Sequence, residues 1–414
     1  MADEPVQRCR SCGSERRRLF VDLGLSPISN AMLRPGELDK PETFYPLKAY
    51  ACDDCRWVQA LDVAPPEAHF HDQYTYFSSV SSSWLAHAER YAREMTARLG
   101  LGPSGQVVEV GSNDGYLLRH FKALGVPVLG VDPAANCAEA ARALGVETRV
   151  GFFGLALART LAAEGGAADL IAANNVLAHV PDPNDFVAGL GALLKPDGVA
   201  TIEFPHLLQL IEDNLFDTIY HEHYSYLSLL ALEHLLRRHG LMVFDLDVLP
   251  THGGSLRVHL THAAAGRPES ESLEAFRRRE HEAGLDEGAA YDAFAEKVRA
   301  TKRRLLELLI AAKDSGARIA AYGAPAKGVT LLNYCGIGAD FLDYAVDRSP
   351  HKQGLYLPGV RLPVLAPEHV LQDRPEYLLV LPWNLKDEIT QQMDAIRGWG
   401  GRFILPLPVP VIVE

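Results

Sequence analysis

Two cysteine pairs, Cys9-Arg10-Ser11-Cys12 and Cys52-Asp53-Asp54-Cys55, constrain this chain more tightly than any other local feature. A CxxC turn brings two thiolates to one point, and two such turns close a tetrahedron around a zinc ion. The 39 residues between Cys12 and Cys52 leave room for a hairpin or two. Four thiolates fill the coordination sphere, so one zinc ion per chain is expected to hold structure and do no chemistry. Residues 1–75 are otherwise rich in turns (Ser26-Pro27, Arg34-Pro35-Gly36, Pro65-Pro66). A segment this short needs a staple to be stable. Cys137 and Cys335 stand alone and read as small buried residues.

The chain has 414 residues, too many for one core, so two or three domains are expected. Its 40 basic and 53 acidic residues leave a net charge of −13, which disfavours a nucleic-acid partner. The opening MADEPVQRCR lacks the apolar core of a secretion signal, and no run approaches a membrane span. With unpaired thiols, these features predict a cytoplasmic protein away from membranes.

Beyond residue 75 the texture becomes strand–helix alternation. Strands are expected at 106–110, 126–131 (ending in Asp132), 169–173 and 199–204, with helices at 116–124, 134–144 and 186–194 between them. The helix at 186–194 is read as stopped by Lys195-Pro196-Asp197-Gly198. Such alternation means a parallel, doubly wound sheet. A charged helical stretch, 268–314, separates this from a second alternation: strand 318–322, loop Gly323-Ala324-Pro325-Ala326-Lys327-Gly328, helix 329–334, then strands 341–346, 377–381 and 402–405. The predicted fold class is α/β. Four segments are expected: a zinc module over 1–75, a Rossmann-like domain over 76–265, a helical connector over 266–312 and a second Rossmann-like domain over 313–414.

At the first strand-to-helix turn stands Glu109-Val110-Gly111-Ser112-Asn113-Asp114-Gly115. Small residues there let the backbone approach a ligand closely. The spacing is ExGxxxG rather than the GxGxxG of dinucleotide binders, and Asp132 ends the second strand, where it could accept from ribose hydroxyls. This resembles the S-adenosylmethionine (SAM) site of class I methyltransferases. The resemblance implies that Glu109, Gly111, Asn113 and Gly115 surround the methionine part, that Asp132 takes ribose, that Phe153 (or Phe152) lies near adenine, and that Asn174 or Asn175 closes the pocket.

Tyr220-His221-Glu222-His223-Tyr224-Ser225-Tyr226 is the densest titratable cluster and follows the fifth strand. It offers imidazoles that titrate near neutrality and phenols that donate; a metal-binding HxH with glutamate is the competing chemistry. The cysteine module, ExGxxxG with Asp132, the Tyr-His-Glu-His segment and the late Gly-Ala-Pro-Ala-Lys-Gly loop together resemble the nucleotide-sugar C-methyltransferases of antibiotic deoxysugar pathways, over essentially the full length. The nearest branch is the one that methylates C-3 of a dTDP-3-amino-4-keto-deoxyhexose on the way to D-tetronitrose; C-3 or C-5 methylation of a non-amino ketosugar is the alternative.

That family resemblance implies a small-molecule dTDP-sugar as substrate and catalytic roles for Tyr220, Glu222, His223 and His179, with one of Tyr74 and Tyr76. A C-methyltransferase needs a base to remove the proton beside the ketone and a donor for the enolate oxygen. His223 is the first choice of base and Tyr220 the rival. Glu222 is expected to orient a histidine or bind the sugar's amine, and His179 and Tyr76 to donate to the sugar. Ala326, Lys327 and Gly328 form a candidate pyrophosphate nest, and Lys352 and Asn384 are candidate nucleotide contacts. A non-catalytic zinc- and SAM-binding scaffold is the reading from a different class. The oligomeric state is left open, a monomer included.

Overall fold

The computed structural model describes residues 7–63 and 77–414. Its strands, in chain order, are β1 (Arg17–Ser26), β2 (Tyr45–Cys52), β3 (Val58–Ala60), β4 (Val107–Val110), β5 (Val128–Asp132), β6 (Thr148–Val150), β7 (Ala168–Asn174), β8 (Leu194–Pro205), β9 (Ser225–Tyr226), β10 (Leu241–Leu249), β11 (Ser255–His262), β12 (Ile319–Tyr322), β13 (Ala345–Val346), β14 (Val364–Leu365), β15 (Tyr377–Val380), β16 (Arg402–Leu405) and β17 (Val411–Val413). They form three sheets.

The central sheet has seven strands in the order β10-β11-β8-β7-β4-β5-β6. Strands β4 to β8 run parallel, and β11 is antiparallel to β8. The parallel strands read as unbroken apolar runs because helices cover both faces, leaving Val108, Ile171, Ile202 and Phe204 fully buried. The β10–β11 hairpin, absent from the sequence reading, closes the sheet on the far side of β8. Pro196-Asp197-Gly198 does not interrupt: β8 already begins at Leu194, paired with Ala168.

The C-terminal sheet, β14-β13-β12-β15-β16-β17, repeats the doubly wound layout. Its first helix, Ala326–Cys335, starts three residues before the expected Val329, with Pro325 as N-cap. Lys327 therefore lies on a helical turn. Only Ala345–Val346 of the expected 341–346 strand is extended.

The third sheet, β1-β2-β3-β9, belongs to the cysteine-bearing segment, but its last strand does not. Ser225 and Tyr226, the end of the titratable cluster, pair antiparallel with Gln59 and Val58. The amide of Ala60 donates to the Tyr224 carbonyl at 3.0 Å, and Trp57 Nε1 donates to Ser225 Oγ at 3.0 Å.

The charged stretch 268–314 packs as well as connects. Its longest helix, Phe294–Asp314, buries Phe294, Val298, Thr301, Leu305, Leu309 and Ala312 on one stripe at helical spacing. Phe294 stacks on Phe20 of β1, rings 4.5 Å apart and 3° from parallel. No described helix is long and apolar enough to cross a membrane. Phe294→Ala deletes a fully buried ring from this junction and is expected to lower the unfolding free energy by about 3–5 kcal/mol, read from urea denaturation.

Candidate active site and zinc centre

Cys9, Cys12, Cys52 and Cys55 converge, all four sulfurs lying within 4.8 Å of one another. The Cys9–Cys55 and Cys12–Cys52 separations are 3.5 and 3.6 Å. Thiolates on a tetrahedral zinc, at Zn–S of ~2.3 Å, stand about 3.8 Å apart, so the cage fits the ion. Its position follows from the strands: Cys52 ends β2, and the turn to β3 carries Cys55. Among the described residues this is the one group with metal-ligand convergence. His221, Glu222 and His223 make no such set, because their polar atoms face other partners.

The ExGxxxG turn follows β4. Gly111 has φ +70°, and a methyl placed on it would stand 2.4 Å from Val176 Cγ2. Gly115, at φ +77°, lies against Ala141 of the helix Ala135–Ala143 beyond β5. Both glycines are thus required by backbone and packing. Asp132 Oδ2 accepts from the Asn113 amide and Oδ1 from the Ala134 amide, each at 2.8 Å, locking the turn to the end of β5. Burial raises the Asp132 pKa, against the pull of those two amides.

The polar atoms left over define what this pocket wants. Both oxygens of fully buried Glu109, Asp114 Oδ1 and Asn174 Oδ1 have no hydrogen-bond partner among the described residues. Burial holds the Glu109 carboxyl well above the usual carboxylate range, against the pull of the neighbouring Tyr116 phenol. Unmet acceptors call for a ligand rich in donors or positive charge, such as the ammonium and hydroxyls of SAM. A pyrophosphate would meet only like charge. Asn175, in the left-handed region at φ +56°, directly follows β7 with its amide on the Glu203 carbonyl. Phe153 sets its ring edge-on against Phe186, and Phe152 is exposed.

The cluster at 220–226 is tightly organised. His223 Nδ1 is 2.8 Å from the Thr218 carbonyl, and its Nε2 is 2.8 Å from Tyr220 Oη. A carbonyl only accepts, so Nδ1 carries the proton and Nε2 accepts from the phenol. His179 Nδ1 likewise faces the Glu222 carbonyl at 2.8 Å, and its ring lies 4.6 Å from that of His223. His221 turns away, Nε2 toward the Pro46 carbonyl at 3.3 Å. Burial pushes the Glu222 carboxyl up to about 7, against the opposing pull of Asn30 and Lys352.

The C-terminal unit grips the same segment from the other side. Trp383 Nε1 donates to buried Asp217 Oδ2 at 2.7 Å, and Thr330 Oγ1 donates to the Ile219 carbonyl at 3.2 Å. Lys327 lies 4.3 Å over the Trp383 ring and donates to Asn384 Oδ1. Burial lowers its pKa to about 8 and raises that of Asp217 to about 6, each opposed by the other's charge. Lys352 donates to the Ala324 carbonyl at 2.8 Å, and Gly328 packs on Leu381. Tyr220, Glu222, His223 and His179 thus meet at one place, with Lys327, Lys352 and Asn384 on its C-terminal flank. Tyr74 and Tyr76 lie outside the described residues. Phe77 follows them and stacks on His351 of the C-terminal unit at 5.6 Å, while the Ser78 amide donates to Asn113 of the glycine turn.

Sequence reasoning missed Asn30, Asp217 and Thr218. An acid set among apolar residues in Leu215-Phe216-Asp217 was a readable sign of a buried partner; Thr218 acts through its main chain, which no side-chain pattern reports.

Fold and site together define a SAM-dependent methyltransferase with a four-cysteine zinc module. Three family models match the chain: "Putative zinc binding domain" over 9–70, "Methyltransferase domain" over 84–246 and "C-methyltransferase C-terminal domain" over 250–408. Across 99% of its length the chain is 36% identical to the C-methyltransferase NovU of Streptomyces niveus, covering 97% of that protein. It belongs to this C-methyltransferase family. A ubiquinone biosynthesis O-methyltransferase of Burkholderia thailandensis is 25% identical over 39% of this chain and 74% of its own. The magnesium protoporphyrin IX methyltransferase of Synechocystis with bound SAH covers 43% of this chain and 83% of that one, at 14% identity and a TM-score of 0.35, too slight a likeness to carry weight.

Cys52→Ser is expected to release the metal and loosen β3 from β9. The checks are zinc content, falling from one per chain, and faster amide hydrogen exchange at Ser225 and Tyr226. Unchanged exchange in a zinc-free variant would disconnect the staple from the cluster.

Proposed function

We propose that the chain methylates C-3 of a dTDP-linked 3-amino-4-keto-deoxyhexose, through an enolate, in the assembly of an antibiotic sugar. The observation that carries the mechanism is the Tyr220–His223 pair. With Nδ1 committed to the Thr218 carbonyl, His223 Nε2 is placed to take the phenolic proton. Tyr220 then acts as the base, its phenolate oxygen removing the proton from the carbon beside the ketone. The electrons move to the C-4 oxygen. His179 stands beside the pair, its Nδ1 on the Glu222 carbonyl, and is assigned the contact to that oxygen. SAM supplies the electrophilic methyl group. Glu222 in its ionised form, held by Asn30, receives the sugar's amine. Asp132 and the acceptors around Glu109 hold the cofactor.

The nucleotide is assigned to the C-terminal unit, at the Ala326–Gly328 turn with Lys327, Lys352 and Asn384. This reading is supported by Trp383, under Lys327, donating to Asp217 three residues before Tyr220.

Purified chain with SAM and a panel of dTDP-4-ketosugars, read by mass spectrometry, tests the substrate; NMR of the product shows whether the methyl carbon sits on carbon, oxygen or nitrogen. Tyr220→Phe and His223→Asn are expected to lose about 10²–10⁴-fold in rate. Full activity in both removes the pair from the mechanism. A rate that needs Glu222 ionised falls as pH drops through about 7, so kcat/KM should show an acid limb there that Glu222→Gln abolishes.

A further inference from the structure

The zinc-bearing unit reaches the reacting cluster through a side chain that no motif contains. Asn30 follows β1, and its Nδ2 stands 2.7 and 2.9 Å from the two carboxylate oxygens of Glu222. The Glu222 side chain is almost wholly buried, 2% exposed. The loop that carries Asn30 is clamped a few residues on, where Leu33 and Tyr356 of the C-terminal unit exchange main-chain hydrogen bonds at 3.0 and 2.9 Å. Asn30 of the first unit thus contacts Glu222 of the second, and the charge of Lys352 in the third acts on the same carboxylate.

We propose that Asn30 is a positioning residue for methyl transfer, holding the Glu222 carboxylate with its side-chain amide and so making the zinc-bearing unit part of the reacting site. The inference rests on the role given above to Glu222. A donor is needed because a buried carboxylate without partners carries a large desolvation cost. A neutral donor is the suitable kind: it leaves the negative charge available to a cationic group on the substrate, which an arginine at this place would cancel. The other groups around Glu222 are the Lys352 ammonium, His179 at its main-chain carbonyl, and Tyr220 and His223 on its own turn. Of these, Lys352 and the Asn30 hydrogen bonds favour the ionised form, against burial. Losing the amide leaves burial less opposed, so the carboxyl must titrate at higher pH.

Infrared difference spectroscopy of the full-length, zinc-loaded chain tests this without any substrate. A pH titration spanning neutrality follows the protonated carboxyl band that Glu222→Gln removes. The midpoint is expected to rise in Asn30→Ala and to rise further in Asn30→Asp, with zinc content and melting temperature retained. The nearly isosteric aspartate variant carries the test if the alanine variant folds poorly. The acid limb of kcat/KM moves by the same amount, each pH unit costing about tenfold in rate at a fixed pH below it. Midpoints equal to that of the unmodified chain in both variants overturn the proposal, while a Glu222→Gln enzyme of reduced activity leaves the functional reading standing. Full methyl transfer by Glu222→Gln would take down both.

Discussion

The Tyr220–Tyr226 cluster is held by a strand pairing that crosses between units. Ser225 and Tyr226 form the outer strand of the sheet that the cysteines organise, and Trp57 seals the joint with its indole on Ser225. A two-residue strand has no stability of its own; it persists because β3 is fixed beside the metal cage. His223 stands two residues upstream of that strand, and its tautomer depends on the Thr218 carbonyl, which the C-terminal unit steadies through Asp217 and Ile219 on either side. The cysteine cage, three sequence segments and the Tyr220–His223 hydrogen bond are thus mechanically linked.

Charge is distributed to match. The cofactor end of the cleft is lined with unsatisfied acceptors at Glu109, Asp114 and Asn174, an arrangement that suits a cationic cofactor. The far flank carries Lys327, facing buried Asp217, and Lys352, whose charge acts on Glu222. Between them the Tyr220–His223 pair and Glu222 sit where burial brings a carboxyl near neutrality. A chain with net charge −13 can therefore present a locally basic subsite.

Much of this was legible in the chain itself. CxxC spacing, ExGxxxG with Asp132 and the alternation of apolar strands with helices are short-range patterns, each tied to a local geometry. The glycines at 111 and 115 declare positive φ because few other residues adopt it. What escaped was non-local or main-chain in origin. Nothing in Ser26-Pro27-Ile28-Ser29-Asn30 announces a partner 192 residues away, and the apolar surroundings of Asp217 signal a partner without naming Trp383. The β10–β11 hairpin was missed because an antiparallel addition to a parallel sheet leaves no strand–helix rhythm.

The amino-acid sequence by itself determined the fold class, the four metal ligands, the cofactor turn and the identity of the titratable cluster, because each depends on residues close together along the chain. Only the tertiary structure decided which nitrogen of His223 faces Tyr220, which side chain holds Glu222, and that the cluster is a strand of the zinc sheet. Those are orientations across long sequence separations, set by packing, and a hydrogen bond's direction exists only once donor and acceptor have been brought together.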